Sequence, residues 1–357
     1  MSAAPACVGL FESIALNTQG FMMYRPNRIV NLGSQLNLCR ALQTNSTLTA
    51  LALIGQGVEF GFFSHLLEAL LMNTSLTILD LQSNRLGDDS AILLSEFLRY
   101  NTVLKKLNLS RNGITSSGMD ILSESLRVNS TLQTLIINHN DIEGPLVLLE
   151  EALKANRSLR TLDLSRNLIA DDGITSLPRG MRENPTLLHL NLSKNPIGAV
   201  GAQSIAEVLT STSSLQVLAI SCEEDEGVRC IATALAANSS LTYLRLQPGI
   251  GGVSPTTTPE FFNALTENGT LLSVEGWLKC ELEEKIEAFT ERNFINLHLR
   301  SLSLLQLCWL AARHLPEHEL TRIPSQLISH LTSWFDGFDY ELHSPSFGTD
   351  TASVFLV

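Results

Sequence analysis

Apolar residues along this chain follow two alternating rhythms. The first is a short run with leucine at LxxLxL spacing, followed by polar residues and an asparagine. It reads LTILDLQSNRL from Leu76, LKKLNLSRNGI from Leu104, LQTLIINHNDI from Leu132, LRTLDLSRNLI from Leu159 and LLHLNLSKNPI from Leu187, so the starts are 28, 28, 27 and 28 residues apart. The LxL core alternates with period two, which predicts a short strand. The second rhythm has helical spacing. In GMDILSESLRVN (118–129) the apolar residues Ile121, Leu122 and Leu126 share one helical face. Each unit is therefore expected to be one strand and one helix.

Weaker copies begin at Leu48, Leu215, Leu241 and Leu271, and FESIALNTQ from Phe11 reads as a degenerate first copy. A fixed internal period marks a repeat architecture, here of about nine or ten units. No unit of this size can bury its apolar face alone, so neighbours must stack. Asn45, Asn73, Asn101, Asn129, Asn156, Asn184, Asn238 and Asn268 fall at the helix ends. Asparagine tolerates the left-handed conformation of many helix caps, which predicts that conformation for them. Asn84, Asn112, Asn140, Asn167 and Asn195 fall just after each strand and are expected to bond backbone groups in the turn.

This pattern resembles the ribonuclease-inhibitor-type leucine-rich repeat over residues 10 to 277. The resemblance implies an α/β solenoid, a right-handed horseshoe with parallel strands inside and helices outside. Strand residues between the leucines then point into the concave face. From successive units these read Asp80 and Gln82, Lys106 and Asn108, Thr134 and Ile136, Thr161 and Asp163, His189 and Asn191, Val217 and Ala219, and Tyr243 and Arg245. Just past them come Arg85, Arg111, His139, Arg166 and Lys194, a basic bias along one edge. The expected partner-binding set is Asp80, Lys106, Arg111, His139, Asp163, Arg166, His189, Lys194, Tyr243 and Arg245. Its chemistry suits an acidic protein or peptide segment.

Composition narrows the function classes. Hydrophobic residues make up 44% of the chain and charged residues 17%, ample for a packed core. The net charge of −12 argues against nucleic acid and against an anionic membrane surface as the main partner. No run of 18 apolar residues marks a transmembrane helix, and the first residues lack the basic-then-apolar pattern of a secretory signal. Cys7, Cys39, Cys222, Cys230, Cys280 and Cys308 form no CxxC and no zinc-ligand spacing. They read as reduced thiols of a cytoplasmic protein, and no metal or cofactor is expected. Sequons such as Asn45-Ser-Thr recur in step with the repeat, which favours a structural asparagine. The acidic run EEDE (223–226) replaces an asparagine turn and reads as a solvated loop. There is no GxSxG, P-loop or HExxH, so the chain is not expected to be an enzyme.

After the repeats (1–279) the pattern changes. CELEEKIEAFTERN opens a charged capping helix, 280–300. Residues 301–335 read as a compact three-helix module, and 336–357 as a flexible acidic tail. In SLLQLCWLAARHL (303–315), Ser303 is an N-cap candidate and Leu304, Leu307, Cys308, Ala311, Ala312 and Leu315 share one stripe. Ser303, Leu304, Cys308 and Ala312 resemble the elongin-binding box of SOCS-box and von Hippel–Lindau-type proteins. Ile323, Pro324, Leu327 and Leu331 resemble the cullin-binding box that follows it. The stretch between them is shorter than in the von Hippel–Lindau type, and the LPxP signature is absent. The resemblance implies elongin B/C and a cullin as partners, and a non-catalytic substrate receptor of a ubiquitin ligase. Two other readings stand beside it: a repeat scaffold or inhibitor whose last helices only cap the solenoid, and a regulator of a small GTPase.

Overall fold

In a computed structural model of the 357-residue chain, the described residues are 21–23, 32–211, 214–248, 257–275 and 293. The chain divides into two compact units, Met1–Thr290 and Glu291–Val357. All the elements named below lie in the first.

Strands and helices alternate along it. They are β1 (Phe21–Met23), α1 (Leu32–Thr44), β2 (Ala50–Ala52), α2 (Phe60–Met72), β3 (Ile78–Asp80), α3 (Gly87–Tyr100), β4 (Lys106–Asn108), α4 (Ser116–Leu126), β5 (Thr134–Ile136) and α5 (Val147–Ala155). There follow β6 (Thr161–Asp163), α6 (Asp171–Thr175), α7 (Pro178–Glu183), β7 (His189–Leu192), α8 (Ala199–Ser211), β8 (Val217–Cys222), α9 (Asp225–Ala237), β9 (Tyr243–Pro248), α10 (Thr257–Glu267) and β10 (Ser273–Glu275). The ten strands form one sheet in chain order, and every pairing is parallel. Successive helices pack on one another as a second layer. This is the leucine-rich-repeat α/β solenoid.

The leucines predicted to build the core do so. Leu76, Leu79 and Leu81 of one unit, and Leu132, Leu135 and Ile137 two units on, are each 3% exposed or less. They belong to a single continuous cluster from Leu38 to Leu271. Continuity is the physical consequence of stacking: each unit covers the apolar face of the one before.

Three local expectations are corrected. The first strand pairs Phe21–Met23 with Ala50–Ala52, so the opening unit does not begin its strand in the FESIALNTQ frame. On α4 the buried apolar residues are Met119, Leu122 and Leu126, whereas Ile121 is only half-buried. Ser123 and Ser125 fill the rest of that face, where their hydroxyls donate to the carbonyls of Met119 and Leu122. EEDE is only half a loop: Glu223 and Glu224 are exposed and outside the helix, with Glu224 the N-cap of α9, and Asp225 and Glu226 lie in its first turn. Carboxylates there face the positive end of the helix dipole.

Candidate interaction face

Two edges of the sheet carry asparagine ladders, and the two are built differently. At the edge where strands begin, Asn73, Asn101, Asn156, Asn184 and Asn238 follow their helices with φ between −70° and −91°, in extended backbone. The left-handed cap expected of them is not used. The side chain is used instead. Asn129 Oδ1 accepts from the Thr131 and Leu132 amides, while its Nδ2 donates to the Leu98 and Asn101 carbonyls of the preceding unit. Asn73, Asn156, Asn184 and Asn268 repeat this arrangement. An extended backbone serves here because the chain must lead into the next strand, which starts five residues on.

At the opposite edge the mid-repeat asparagines bond turn backbone, as expected. Asn140 Nδ2 donates to the carbonyls of Leu109, Ile137 and Asn138 at 3.0 to 3.2 Å. Its Oδ1 accepts from the Asn112 and Ile114 amides of the preceding unit. The left-handed backbone sits here, on the residue before each asparagine. Arg111, His139, Arg166 and Lys194 have φ of 57°, 52°, 54° and 58°. Gly55 (φ 64°) and Ser83 (φ 62°) hold the same place in the two preceding units. Neighbouring turns fix this conformation through the backbone: the amides of Arg111, His139 and Arg166 donate to the carbonyls of Asn138, Ser165 and Ser193 at 2.9 to 3.0 Å.

Strand register sorts the face residues into two rows. Ile78, Lys106, Thr134, Thr161, His189, Val217 and Tyr243 align across the sheet. Asp80, Asn108, Ile136, Asp163, Asn191, Ala219 and Arg245 form the next row. Asp80 thus matches Asn108, so the positions of that unit equivalent to Lys106 and Asn108 are Ile78 and Asp80 rather than Asp80 and Gln82, a shift of two residues from the sequence reading. Side chains of this second row also serve the turn. Asp80, Asn108, Asp163 and Asn191 each accept from the amide two residues on at 2.9 to 3.1 Å.

That duty withdraws Asp163 from the surface. It is 1% exposed, Asn138 donates to its Oδ2 at 3.1 Å, and it is not available as an open-face contact. Burial raises its pKa, against the lowering effect of hydrogen bonds from Ser165, Asn138 and Asn191. Asp80 is raised by the same cause, and Lys106 beside it is lowered by desolvation. Tyr243 is raised by burial and by its bond to Glu275, and Arg245 lies 4.0 Å from that carboxylate. His189 is half-buried, shares a 3.2 Å contact with Thr161 Oγ1, and is shifted down by desolvation.

The residues just past the strands converge on His139. Its Nε2 lies 3.0 Å from Arg166 Nη1 and 3.4 Å from Arg111 Nη2. Both arginine groups are donors, so Nε2 accepts and the ring proton sits on Nδ1, which faces Asn138 Oδ1 at 3.4 Å. A chain therefore runs from buried Asp163 through Asn138 to the ring and out to the two guanidinium groups. Desolvation and the charges of Arg166, Arg111 and Lys194 push the His139 pKa down to about 4. Lys194 is lowered by desolvation and by Arg166 and Arg245. Among the described residues, Arg111, Arg166 and Lys194 make no salt bridge to a carboxylate.

Sequence reading missed the left-handed row and one further feature. A cleft of about 610 Å³ beside β2 is lined by Gln56, Glu59, Phe60, Arg85 and Asp89, among others. Gln56 is 6% exposed, and its Oε1 has no hydrogen-bond partner among the described residues. The signal for the left-handed row was Gly55 in register with the basic residues. Ser303, Leu304, Cys308 and Ala312, and Ile323, Pro324, Leu327 and Leu331, lie outside the described residues. Cys39 and Cys222 are buried free thiols. Burial, with Glu68 nearby, pushes Cys39 up to about 11, the environment of an inert core cysteine. Among the described residues no group of three His, Cys, Asp or Glu is placed to hold a metal ion. No described helix is long and apolar enough to cross a membrane.

Of the comparisons with known proteins, the family match agrees with this architecture. The leucine-rich-repeat family model matches residues 73–95, 100–122, 128–145, 155–177 and 183–206, which makes these five units leucine-rich repeats. None of the curated proteins compared with the chain matches it. Among solved structures, the chain is similar to actin-binding site 2 of leiomodin-1, at 16% identity and a TM-score of 0.31, over 62% of this chain and 96% of that one.

Proposed function

We propose that the chain is a non-catalytic interaction protein, with a repeat face that holds a protein target and a C-terminal segment that recruits elongin B/C and a cullin. The observation that carries the first half is the shape of the repeat edge. Each unit presents the same two strand positions and the same turn position to the next unit in register, which gives a rigid, pre-ordered array of side chains. Such an array loses little conformational entropy on binding. The second half rests on the sequence pattern of Ser303, Leu304, Cys308 and Ala312, followed by Ile323, Pro324, Leu327 and Leu331. In this reading Leu304 is the apolar anchor and Cys308 and Ala312 keep the contact close, since a few buried apolar anchors dominate interface energy. Together the two halves define a substrate receptor of a ubiquitin ligase.

Co-purification with the elongin B–elongin C heterodimer tests this. Wild type forms a stable complex, and Leu304→Ala/Cys308→Asp loses it without a change in thermal unfolding. A wild-type chain that never retains the heterodimer leaves a repeat scaffold without the recruitment role.

A further inference from the structure

We propose that Arg111, His139, Arg166 and Lys194 form a binding strip for an extended acidic segment of a partner protein. The proposal rests on the reading of the solenoid as a protein-binding module, and is independent of elongin recruitment.

Four observations carry it. First, these residues occupy one structural position in four successive units, with φ between 52° and 58°. That backbone favours glycine, which stands there in an earlier unit as Gly55. Backbone amides donating to the next turn hold the conformation, so the fold does not need long cationic side chains at this place. Strain kept at a repeated position points to use of the side chain.

Second, the cations are gathered rather than dispersed. Arg111 and Arg166 both reach His139 Nε2, and Arg166 depresses Lys194. Like charges brought together without a salt bridge to a carboxylate among the described residues are compensated when an anion arrives. Third, the chain as a whole carries −12, so a basic strip on it is a local exception. Overall negative charge repels a polyanion such as RNA, whereas a short acidic peptide meets only the strip.

Fourth, the spacing fits. Parallel strands are about 4.8 Å apart, so Arg111 to Lys194 spans three steps, roughly 14 Å. An extended peptide rises about 3.3 Å per residue, so about five residues with acids at alternate positions cover it. The strip is bounded: Ser83 precedes it in register. After it, Leu192 pairs with Ile220, which puts Cys222 level with Lys194, and β8 continues there as strand.

The test is fluorescence anisotropy on the full chain, with a labelled dodecapeptide of alternating Glu and Gly, its Gln–Gly counterpart, and a twelve-nucleotide oligouridylate. The Glu peptide is expected to bind, more weakly as salt rises, and the Gln peptide is not. Arg111→Gly/Arg166→Gly weakens binding roughly tenfold or more, with the Tm unchanged or raised. Arg111→Gln/Arg166→Gln, which keeps a side chain at both positions, loses binding likewise, and Arg111→Lys/Arg166→Lys retains most of it. Equal binding of Glu and Gln peptides, or full binding by both the Gly and the Gln variants, overturns the proposal. Tighter binding of oligouridylate than of the Glu peptide overturns it in favour of nucleic acid. Loss of elongin co-purification leaves this result untouched, and the reverse also holds.

Discussion

The two edges of the sheet use asparagine for the same purpose and differ in what stands beside it. Where strands begin, the residue before the asparagine varies in type from unit to unit (Met72, Tyr100, Val128, Ala155, Glu183), the backbone is extended, and ladder groups bond within or between units. Where strands end, the asparagine ladder is equally satisfied, yet the residue before it is left-handed in four units that carry Arg111, His139, Arg166 and Lys194, three cations and one neutral histidine. One edge is closed by its own hydrogen bonds. The other is closed as well, and in addition holds charged side chains that its bonding does not require. The contrast separates what the fold needs from what it merely carries, and it locates the candidate site on the carried residues.

This contrast can be broken by substitution. The largest effect is expected for Asn140→Ala, which takes the side-chain partner from the Leu109 carbonyl and the Asn112 and Ile114 amides, leaves the Ile137 and Asn138 carbonyls to their remaining donors, and costs about 3 kcal/mol by chemical denaturation. Asn129→Ala at the other edge costs about 2 kcal/mol, because it removes four hydrogen bonds rather than five. Gly180→Ala costs roughly 1–2 kcal/mol, since its new Cβ meets the Glu150 carbonyl where α7 packs on α5. The smallest effect has the opposite sign: Arg166→Gly changes stability by less than about 1 kcal/mol, in the stabilising direction. If Arg166→Gly destabilised as much as Asn140→Ala, the two classes of residue would be one, and the comparison would fail.

A pH series sharpens the same point. His139 is lowered to about 4 in the folded protein, first by desolvation and then by Arg166, Arg111 and Lys194. The unfolded chain takes up that proton near the ordinary value of 6.5, so native stability falls as pH drops through 6.5 and the loss is complete below about 4. The ring is half-buried and still reached by solvent, so the effect is modest. Subtracting the Tm-versus-pH curve of His139→Asn isolates it. An unchanged slope in that variant would mean that the cations do not act on the ring.

Much of this was legible in the sequence. The LxxLxL leucines specify strand, core and stacking together, because alternation and burial coincide at Leu79, Leu107, Leu135, Leu162 and Leu190. The mid-repeat asparagines were legible for a similar reason: a tight turn leaves backbone groups that need an amide. Three features were not. Helix-end asparagines use their side chains where backbone propensity suggested a left-handed cap. Asp163 looked like a face residue by alternation but is consumed by its own turn and by Asn138. The convergence on His139 depends on left-handed backbone, which residue type conceals when arginine occupies a place suited to glycine.

The most direct measurement is the His139 ring titration by NMR, in the free chain and in the chain saturated with the alternating Glu–Gly peptide. The account predicts an apparent pKa near 4 in the free protein. With a carboxylate seated among Arg111, Arg166 and Lys194, it predicts a clear rise. A ring that titrates at its ordinary value, and does not move when the peptide is added, would contradict both the convergence of charge on His139 and the strip built around it.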